Sequence, residues 1–479
     1  MKIIIANSVG IDSKGYRMIH YPSRWTTGVK RAYFSWYPWE LAYLSALLKK
    51  KTEHSVKMID GCLEQLDFKN YLGRLVHEKP DFLIMECSSR TVDEDLRLAM
   101  EIKKRLGTKI VLTGQHASAF PEEISAKVDY VCIGEYEFTV LDLINGLNPK
   151  DIPGLYPNAP RLPIDINLLP WPEDEDIKRI DYCSPGPPGL RYRQIQAYAS
   201  RGCPLRCIFC VCSNLYYSNP TWRPRPPDDV VNEIIYLKDK YRKRMEGVFF
   251  DEEVHNLDRR HAIELSKKIV AAGLNQLHYT AMCMYNTLDD EVLENMHEAG
   301  YYQLRIGIET ASDKIAEGIG MKFKMDNTKL FKVLKTAKLL GIDVFGTFQI
   351  GAPNSNEEED SKTVNLIKDL LKQELICELQ ISICTPQPGT PFYKYAENQG
   401  LILTKDWQRY DGTSESVINY PYYSKDKIEK VFKKAVDVGH FYRGKITLKR
   451  EGVLSTFRKA VSKRGIFGTL KLIFKELFS

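Results

Sequence analysis

The 479-residue sequence predicts an α/β protein: an N-terminal Rossmann-like parallel sheet, then a partial (β/α)6 TIM-type barrel, then a helical C-terminal tail. Three observations predict it. Short apolar runs alternate with helical patterns through residues 1–146, the rhythm of a parallel sheet covered by helices. The same alternation resumes over residues 195–395. Between the two, residues 147–194 hold ten of the 24 prolines and little periodicity, which marks an extended linker wrapped over a surface. The expected units are therefore 1–146, 147–194, 195–395 and 396–479.

In the first unit the strand candidates are Lys2–Ala6, Ser55–Ile59, Asp81–Met85, Lys109–Thr113 and Asp129–Ile133. Helical patterns fall at Leu41–Lys49, Leu66–His77, Glu94–Arg105 and Pro121–Ala126. Ligands of such sheets bind beyond the carboxyl ends of the strands, which points to Asp60–Gly61, Thr113–Ser118 and Gly134–Glu137. In the third unit the strands are expected at Ile195–Ala199, Gly247–Asp251, Leu277–Met282, Gln303–Glu309, Asp343–Ile350 and Cys377–Thr385. Helices between them are expected at Asp229–Lys238, Arg260–Ala272, Asp289–Ala299 and Asn327–Leu340. Six such repeats suit a partial barrel whose strand ends carry the chemistry.

Composition narrows the class. With 43% hydrophobic and 27% charged residues the chain is a globular protein, and its length exceeds a single ordinary core. No apolar run approaches the roughly 20 residues of a membrane span. The opening MKIIIANSVG reads as a buried strand rather than a signal peptide, so a cytoplasmic catalytic body is expected. Eleven cysteines without a secretory signal do not suggest a disulfide framework. Charge is uneven: ten Lys/Arg against two Asp/Glu from Arg443 to Ser479 give +8, leaving residues 1–442 at −2 of the total +6.

Four cysteines crowd into residues 203–212, and Cys203, Cys207 and Cys210 follow the first barrel strand as C-x-x-x-C-x-Phe209-C. Thiolates suit zinc or iron–sulfur clusters. A structural zinc site usually takes two separated cysteine pairs, and no second pair is present at that spacing. Cys212 is a fourth candidate, but so close to Cys210 it would strain a shared cluster. Three cysteines on one loop leave one iron of a four-iron cluster open, while a zinc knot remains the bland alternative.

On this cysteine pattern, residues 195–392 resemble the radical S-adenosylmethionine superfamily. The resemblance implies a [4Fe-4S] cluster on Cys203, Cys207 and Cys210 that binds S-adenosylmethionine at its open iron and yields a 5′-deoxyadenosyl radical. It also implies cofactor contacts from Phe209, from Glu309 in Gly307-Ile-Glu309-Thr310, from Gly346 and Gly351 beside adenine, and from Pro386 in the Thr385–Tyr393 string. Asp251, Glu252 and Glu253 end the second strand either as site carboxylates or as a solvated acidic turn. The Pro-x-Pro-Gly-Thr-Pro-x-Tyr string characterises the subset of the family that often carries a cobalamin-binding domain in front.

Tyr37–Leu48, Gly114–Ser118 with Pro121–Glu123, and Gly134–Glu137 resemble that cobalamin-binding module. The resemblance implies cobalamin against Thr113, Gly114, Gln115, His116, Ser118, Gly134 and Glu135. His116 is read as a hydrogen-bonding residue, since the Asp-x-His-x-x-Gly pattern of an axial ligand is absent: Asp60-Gly-Cys-Leu-Glu-Gln stands instead. Ser35-Trp-Tyr-Pro38 resembles hopanoid-associated radical proteins, and the whole chain also resembles anaerobic magnesium-protoporphyrin monomethyl ester cyclases.

In the tail, Val453, Leu454, Phe457 and Val461, then Ile466, Phe467, Leu470, Ile473, Phe474, Leu477 and Phe478, fall on apolar faces among Lys and Arg. Such basic amphipathic helices suit either docking on the barrel or peripheral contact with an anionic membrane face. Nucleic acid is not expected, because the aromatics are not interleaved with the charges. The sequence thus predicts a radical enzyme with a [4Fe-4S] cluster, S-adenosylmethionine and cobalamin, methylating an unactivated carbon of a small-molecule or lipid substrate. A reductant such as flavodoxin or ferredoxin would supply the electron. Cyclisation, rearrangement or oxidation without methyl transfer is the alternative outcome, and a non-catalytic iron–sulfur scaffold or redox sensor the alternative class. A second cluster, as in tRNA methylthiolation, would have only Cys62, Cys87 and Cys132, each on a different strand.

Overall fold

The computed structural model describes residues 1–21, 25–29, 34–183, 191–217, 221–452 and 461. The first strand, β1 (Lys2–Ala6), is followed by an antiparallel hairpin, β2 (Arg17–Tyr21) and β3 (Trp25–Val29). Then come α1 (Trp39–Lys51), β4 (Ser55–Ile59), α2 (Phe68–Glu78), β5 (Phe82–Glu86), α3 (Val92–Leu106) and β6 (Lys109–Thr113). Two short helices, α4 (Gln115–Ala119) and α5 (Pro121–Ser125), precede β7 (Tyr130–Val131) and α6 (Glu137–Ile144). The strands pair in parallel in the order β4-β1-β5-β6-β7, the doubly wound sheet the alternation predicts. Its apolar strands carry a core on both faces, as parallel sheets do.

The hairpin was not expected. Its residues mix polar and apolar types without a clean two-residue period, so tertiary contacts fix it. Tyr21 donates its hydroxyl to Asp251 Oδ2 at 2.9 Å, and the Trp36 ring lies 6.0 Å from Phe249, both barrel residues.

The barrel runs β8 (Gln194–Ala197), β9 (Ser200–Arg201), β10 (Arg223–Pro224), α7 (Pro227–Tyr241), β11 (Gly247–Phe250), α8 (Arg259–Ala271), β12 (His278–Cys283) and α9 (Asp290–Glu298). It continues through β13 (Tyr301–Glu309), α10 (Asp313–Gly318), α11 (Asn327–Leu339), β14 (Asp343–Ile350), α12 (Glu357–Lys372), β15 (Glu378–Ile383), α13 (Pro391–Asn398) and α14 (Lys425–Glu451). Six parallel strands order as β15-β14-β13-β12-β11-β8, a sheet that curls without closing. Helix starts are chemically explicit: Asp258, Asp289, Ser312, Asp326, Asn356 and Thr390 each accept a first-turn N–H with their side chains. The open edge at β15 is covered by α14, whose Ile428, Val431 and Ala435 are buried. Gly439 lets α14 approach: a Cβ there would lie 3.3 Å from Leu379.

The Pro-rich linker carries three short 3-10 turns, at Pro149–Asp151, Ile166–Leu168 and Arg179–Tyr182, and contacts both units. Glu173, Ile177, Arg179 and Tyr182 are all buried. Lys49 of α1 reaches Glu173 and Asp176 at 2.8 Å each, while Arg179 pairs with Glu233 of α7 and donates to Gln196 O at 2.6 Å. Apart from Val461, the predicted amphipathic tail of residues 453–478 lies outside the described residues. Among the described residues, no helix is long and apolar enough to cross a membrane.

Candidate active site

A cavity of about 750 Å³ opens at the carboxyl ends of the barrel strands, and Cys203, Cys207, Phe209 and Cys210 line it together with Glu309. The loop bearing the cysteines leaves the barrel through Gly202. Its φ is +94°, and a Cβ would stand 2.1 Å from Thr221 O, so only glycine fits. Glu253 Oε2 accepts the Gly202 N–H at 2.9 Å. Asn214 Nδ2 donates to the carbonyls of both Cys207 (2.7 Å) and Cys210 (2.8 Å), and a single π-helical turn over Cys212–Tyr216 ends the loop. Such turns recur at functional sites.

Among the described residues, no three His, Cys, Asp or Glu side chains converge as ligands of a single metal ion would. The three thiols instead share one wall of a cavity roomy enough for a larger polynuclear group. Hydrogen bonding from the Cys212 thiol, helped by the Ser213 and Cys212 groups against the cost of burial, brings the Cys210 thiol down to about 6. Cys62, Cys87 and Cys132 behave oppositely. They are buried, burial pushes all three thiols up, and Cys62 and Cys87 donate to backbone carbonyls. The cavity cysteines fit an iron–sulfur cluster; the front-domain cysteines are packing residues.

Glu309 ends β13 with φ 66°, a left-handed conformation that costs a non-glycine residue roughly 1–3 kcal/mol. The register with β14 shifts between Gly307 and Glu309, turning the carboxylate into the cavity, where Thr347 Oγ1 donates to Oε1 at 3.3 Å. A Cβ on Gly307 would lie 2.8 Å from that same oxygen. Gly307 therefore makes room for Glu309. Strand parity decides the next strand: Phe345, Thr347 and Gln349 line the cavity, and Gly346 and Gly351 do not. A Cβ on Gly346 would meet the Phe348 ring at 2.9 Å, and one on Gly351 would meet Ile428 of α14 at 2.7 Å. At both positions the missing side chain makes room for a neighbouring one. Pro386 is buried outside the cavity lining, whereas its neighbours Thr385 and Gln387 reach it.

The acidic string after β11 is not a solvated turn. Asp251 meets Tyr21, Glu252 bonds His255 Nδ1 at 2.6 Å, and Glu253 holds Gly202 and the Tyr217 hydroxyl (2.8 Å). Asp251 and Glu252 are buried.

The residues assigned to cobalamin are buried or half-buried, and none lines the cavity. Thr113, Gln115 and His116 are buried. A Cβ on Gly114 would stand 2.5 Å from Glu86 Cγ, Gln115 donates to Gln387 at 3.2 Å, and Ser118 accepts the Gly134 N–H at 3.0 Å. Gly134 lies against Tyr216, and Glu135 binds Arg201 and Arg223. His116 contacts Ser89 through Nδ1 at 3.1 Å, its ring packs against Phe120 and Trp407, and burial holds it down at about 4. From the front domain, Thr27 and Phe34 line the cavity instead. Sequence reasoning missed them, and also missed the lining residues Gln380, Asp411, His440 and Arg443, the last of which pairs with Glu378. The only sequence cue to these was the basic character that begins at Arg443.

Residues 198–367 match the Radical SAM superfamily, and residues 25–144 match the B12 binding domain. A Pyrococcus horikoshii protein described as an uncharacterized methyltransferase is 29% identical over 91% of this chain and 94% of its own length. Hopanoid C-3 methylase of Methylococcus capsulatus is 23% identical over 76% of this chain and 69% of its own. In fold, the chain superposes on the radical S-adenosylmethionine methyltransferase TsrM from Kitasatospora setae, solved with cobalamin and a [4Fe-4S] cluster. The TM-score is 0.62 at 17% identity, over 83% of this chain and 75% of that one.

Proposed function

Because the chain belongs to the radical S-adenosylmethionine enzymes that carry a B12-binding domain, we propose that it transfers a methyl group to an unactivated carbon of a small, amphipathic molecule. The cofactors of this family are a [4Fe-4S] cluster, S-adenosylmethionine and cobalamin. The observation that carries the reading is the single cavity uniting Cys203, Cys207 and Cys210 with the Glu309 carboxylate. Relatives named as methyltransferases support methyl transfer over cyclisation.

A cluster held by Cys203, Cys207 and Cys210 supplies, when bound and reduced, the electron that breaks the sulfonium–carbon bond of S-adenosylmethionine. The chain's residues prepare that chemistry by placement. Glu309 is positioned to accept hydrogen bonds from ribose hydroxyls or an ammonium group, with Thr347 fixing its oxygen. Thr347 and Gln349 offer polar contacts on the same strand, while Met282, Met284 and Met321 give an apolar wall that excludes water from reactive species. The same cavity is lined by Glu378, Asp411, His440 and Arg443 and by Phe34, Phe345 and Val436, a mixed lining suited to a substrate with polar and apolar parts.

A flavodoxin- or ferredoxin-type protein is the natural electron donor in this reading. A cytoplasmic location, with the basic C-terminal segment against an anionic membrane face, is consistent with the +8 charge of residues 443–479 and makes a lipid an admissible substrate. The test is incubation of reduced, cluster-loaded protein with methyl-labelled S-adenosylmethionine and a metabolite extract of the source cells. Label appearing in a product that has lost one hydrogen supports the reading. A product formed in dependence on S-adenosylmethionine but carrying no methyl label overturns it.

A further inference from the structure

We propose that Glu135 and Glu137 are positioning residues of the radical site: they clamp Arg201 and Arg223 and so fix both ends of the loop that carries the cluster cysteines. The proposal rests on the reading that this loop holds the cluster.

The geometry is specific. Arg201 Nη1 donates to Glu137 Oε1 at 2.6 Å and approaches Glu135 Oε1 at 3.3 Å. Arg223 donates to the Glu135 carboxylate at 2.9 Å and to Ile164 O at 2.7 Å. Arg201 and Arg223 are paired residues of the two-residue ladder β9/β10, so one carboxylate, Glu135, bridges the two strands from the front domain. The described residues between them, 202–217 and 221–222, include all three cluster cysteines. Glu253 and Glu86 complete the grip: the former accepts Gly202 N–H at 2.9 Å, the latter the Tyr216 hydroxyl at 2.6 Å.

Burial makes the clamp consequential. Glu137 is fully buried and Arg201 is 2% exposed. Deleting one partner of such a pair leaves a charge stranded in a low-dielectric interior, so the loop must rearrange to rehydrate it. Position matters as much as energy. Arg201 is two residues before Cys203, with only the sterically constrained Gly202 between, so displacement of the guanidinium is passed directly to the first ligand. Groups one step behind metal ligands commonly govern affinity or activity by about 10–100-fold. Gly134, with φ +70° and its ideal Cβ 3.0 Å from Tyr216 O, sets the close approach that brings both glutamates to the loop.

The test compares wild-type full-length protein with Glu137→Gln, Glu137→Asp and Glu135→Gln after identical anaerobic reconstitution. The measurements are iron per chain, the electron paramagnetic resonance spectrum of the reduced cluster with and without S-adenosylmethionine, and the affinity for S-adenosylmethionine. The proposal expects Glu137→Gln to retain a folded chain, to shift the cluster's resonance, and to weaken S-adenosylmethionine binding on the order of tenfold or more. Glu137→Asp, which keeps the charge, recovers part of both. Glu135→Gln, which leaves the shorter Glu137 bond in place, gives a smaller change in the same direction and keeps the test decisive if Glu137→Gln does not fold. A resonance and an affinity identical to wild type in Glu135→Gln and in every folded Glu137 variant overturn the clamp while sparing the radical-enzyme reading. A wild-type chain that accepts no cluster overturns that reading and the clamp with it.

Discussion

Gly307→Ala isolates the placement of Glu309 without touching the carboxylate itself. The added Cβ would stand 2.8 Å from Glu309 Oε1, closer than real carbon–oxygen contacts, and the mobile element is the side-chain end rather than the backbone. The carboxylate therefore swings away, its 3.3 Å contact with Thr347 breaks, and the strained φ of 66° at Glu309 no longer serves its purpose. A hydrogen bond to a charged group is worth about 1.5–3 kcal/mol, which at 1.4 kcal/mol per factor of ten predicts roughly 10- to 150-fold weaker S-adenosylmethionine binding. Equilibrium dialysis against cluster-loaded protein measures it, with the visible absorbance of the cluster as the control. Glu309→Gln should lose a similar amount, and the double variant little more than either single one, because both act on one contact. Wild-type affinity in Gly307→Ala and Glu309→Gln alike would refute the assignment of Glu309 to the cofactor.

Three further outcomes follow from named contacts. Cys212→Ser should keep the wild-type iron content while Cys210→Ser loses most of it, since Cys212 tunes the Cys210 thiol as a hydrogen-bond donor rather than as a ligand; metal analysis separates the two. Alkylation of cluster-free protein should inflect near pH 6 at Cys210 and leave Cys132, pushed up to about 12 by burial, unreactive at neutral pH, as peptide mapping would show. Glu40 is raised by burial from its ordinary 4.5 to about 7, so the folded chain holds a proton that the unfolded chain releases between those values. Its contribution is thus fully present below pH 4.5 and lost as pH rises through 7, up to about 3 kcal/mol at 1.36 kcal/mol per pKa unit. Thermal melts of Glu40→Gln should gain on wild type from pH 5 to pH 8, and parallel curves would exclude the effect.

The two sheets were legible because buried parallel strands write themselves as apolar runs: β1, β4, β6 and β14 coincide with their expected bounds. The helices α12 and α13 also carry readable signals, an Asn356 cap with four acids behind it and Pro391 at a first helical position, but these were not read as helix starts. The cysteine loop was readable since its chemistry lies within one short segment. On β14 the motif marks a strand end but not which side chains face inward: alternate residues face opposite sides, and Phe345, Thr347 and Gln349 line the cavity. The surroundings of the front-domain loops were not legible for a different reason. Whether Thr113–Ser118 and Gly134–Glu135 meet a cofactor or another part of the chain depends on what is packed against them, and the partners Gln387, Tyr216, Arg201 and Arg223 are more than 60 residues away in sequence. Among the described residues, Thr27 and Phe34, in and beside a hairpin without sequence signature, reach the cavity from that domain.

The most direct measurement is 5′-deoxyadenosine formation by reduced, reconstituted protein given S-adenosylmethionine, run beside single alanine variants of Cys203, Cys207 and Cys210 with iron counted in each sample. The account predicts about four irons per wild-type chain, nucleoside release by wild type, and loss of both in all three variants. Nucleoside release that survives any one of those substitutions, or a wild-type chain with a full cluster that leaves the sulfonium intact, would contradict it.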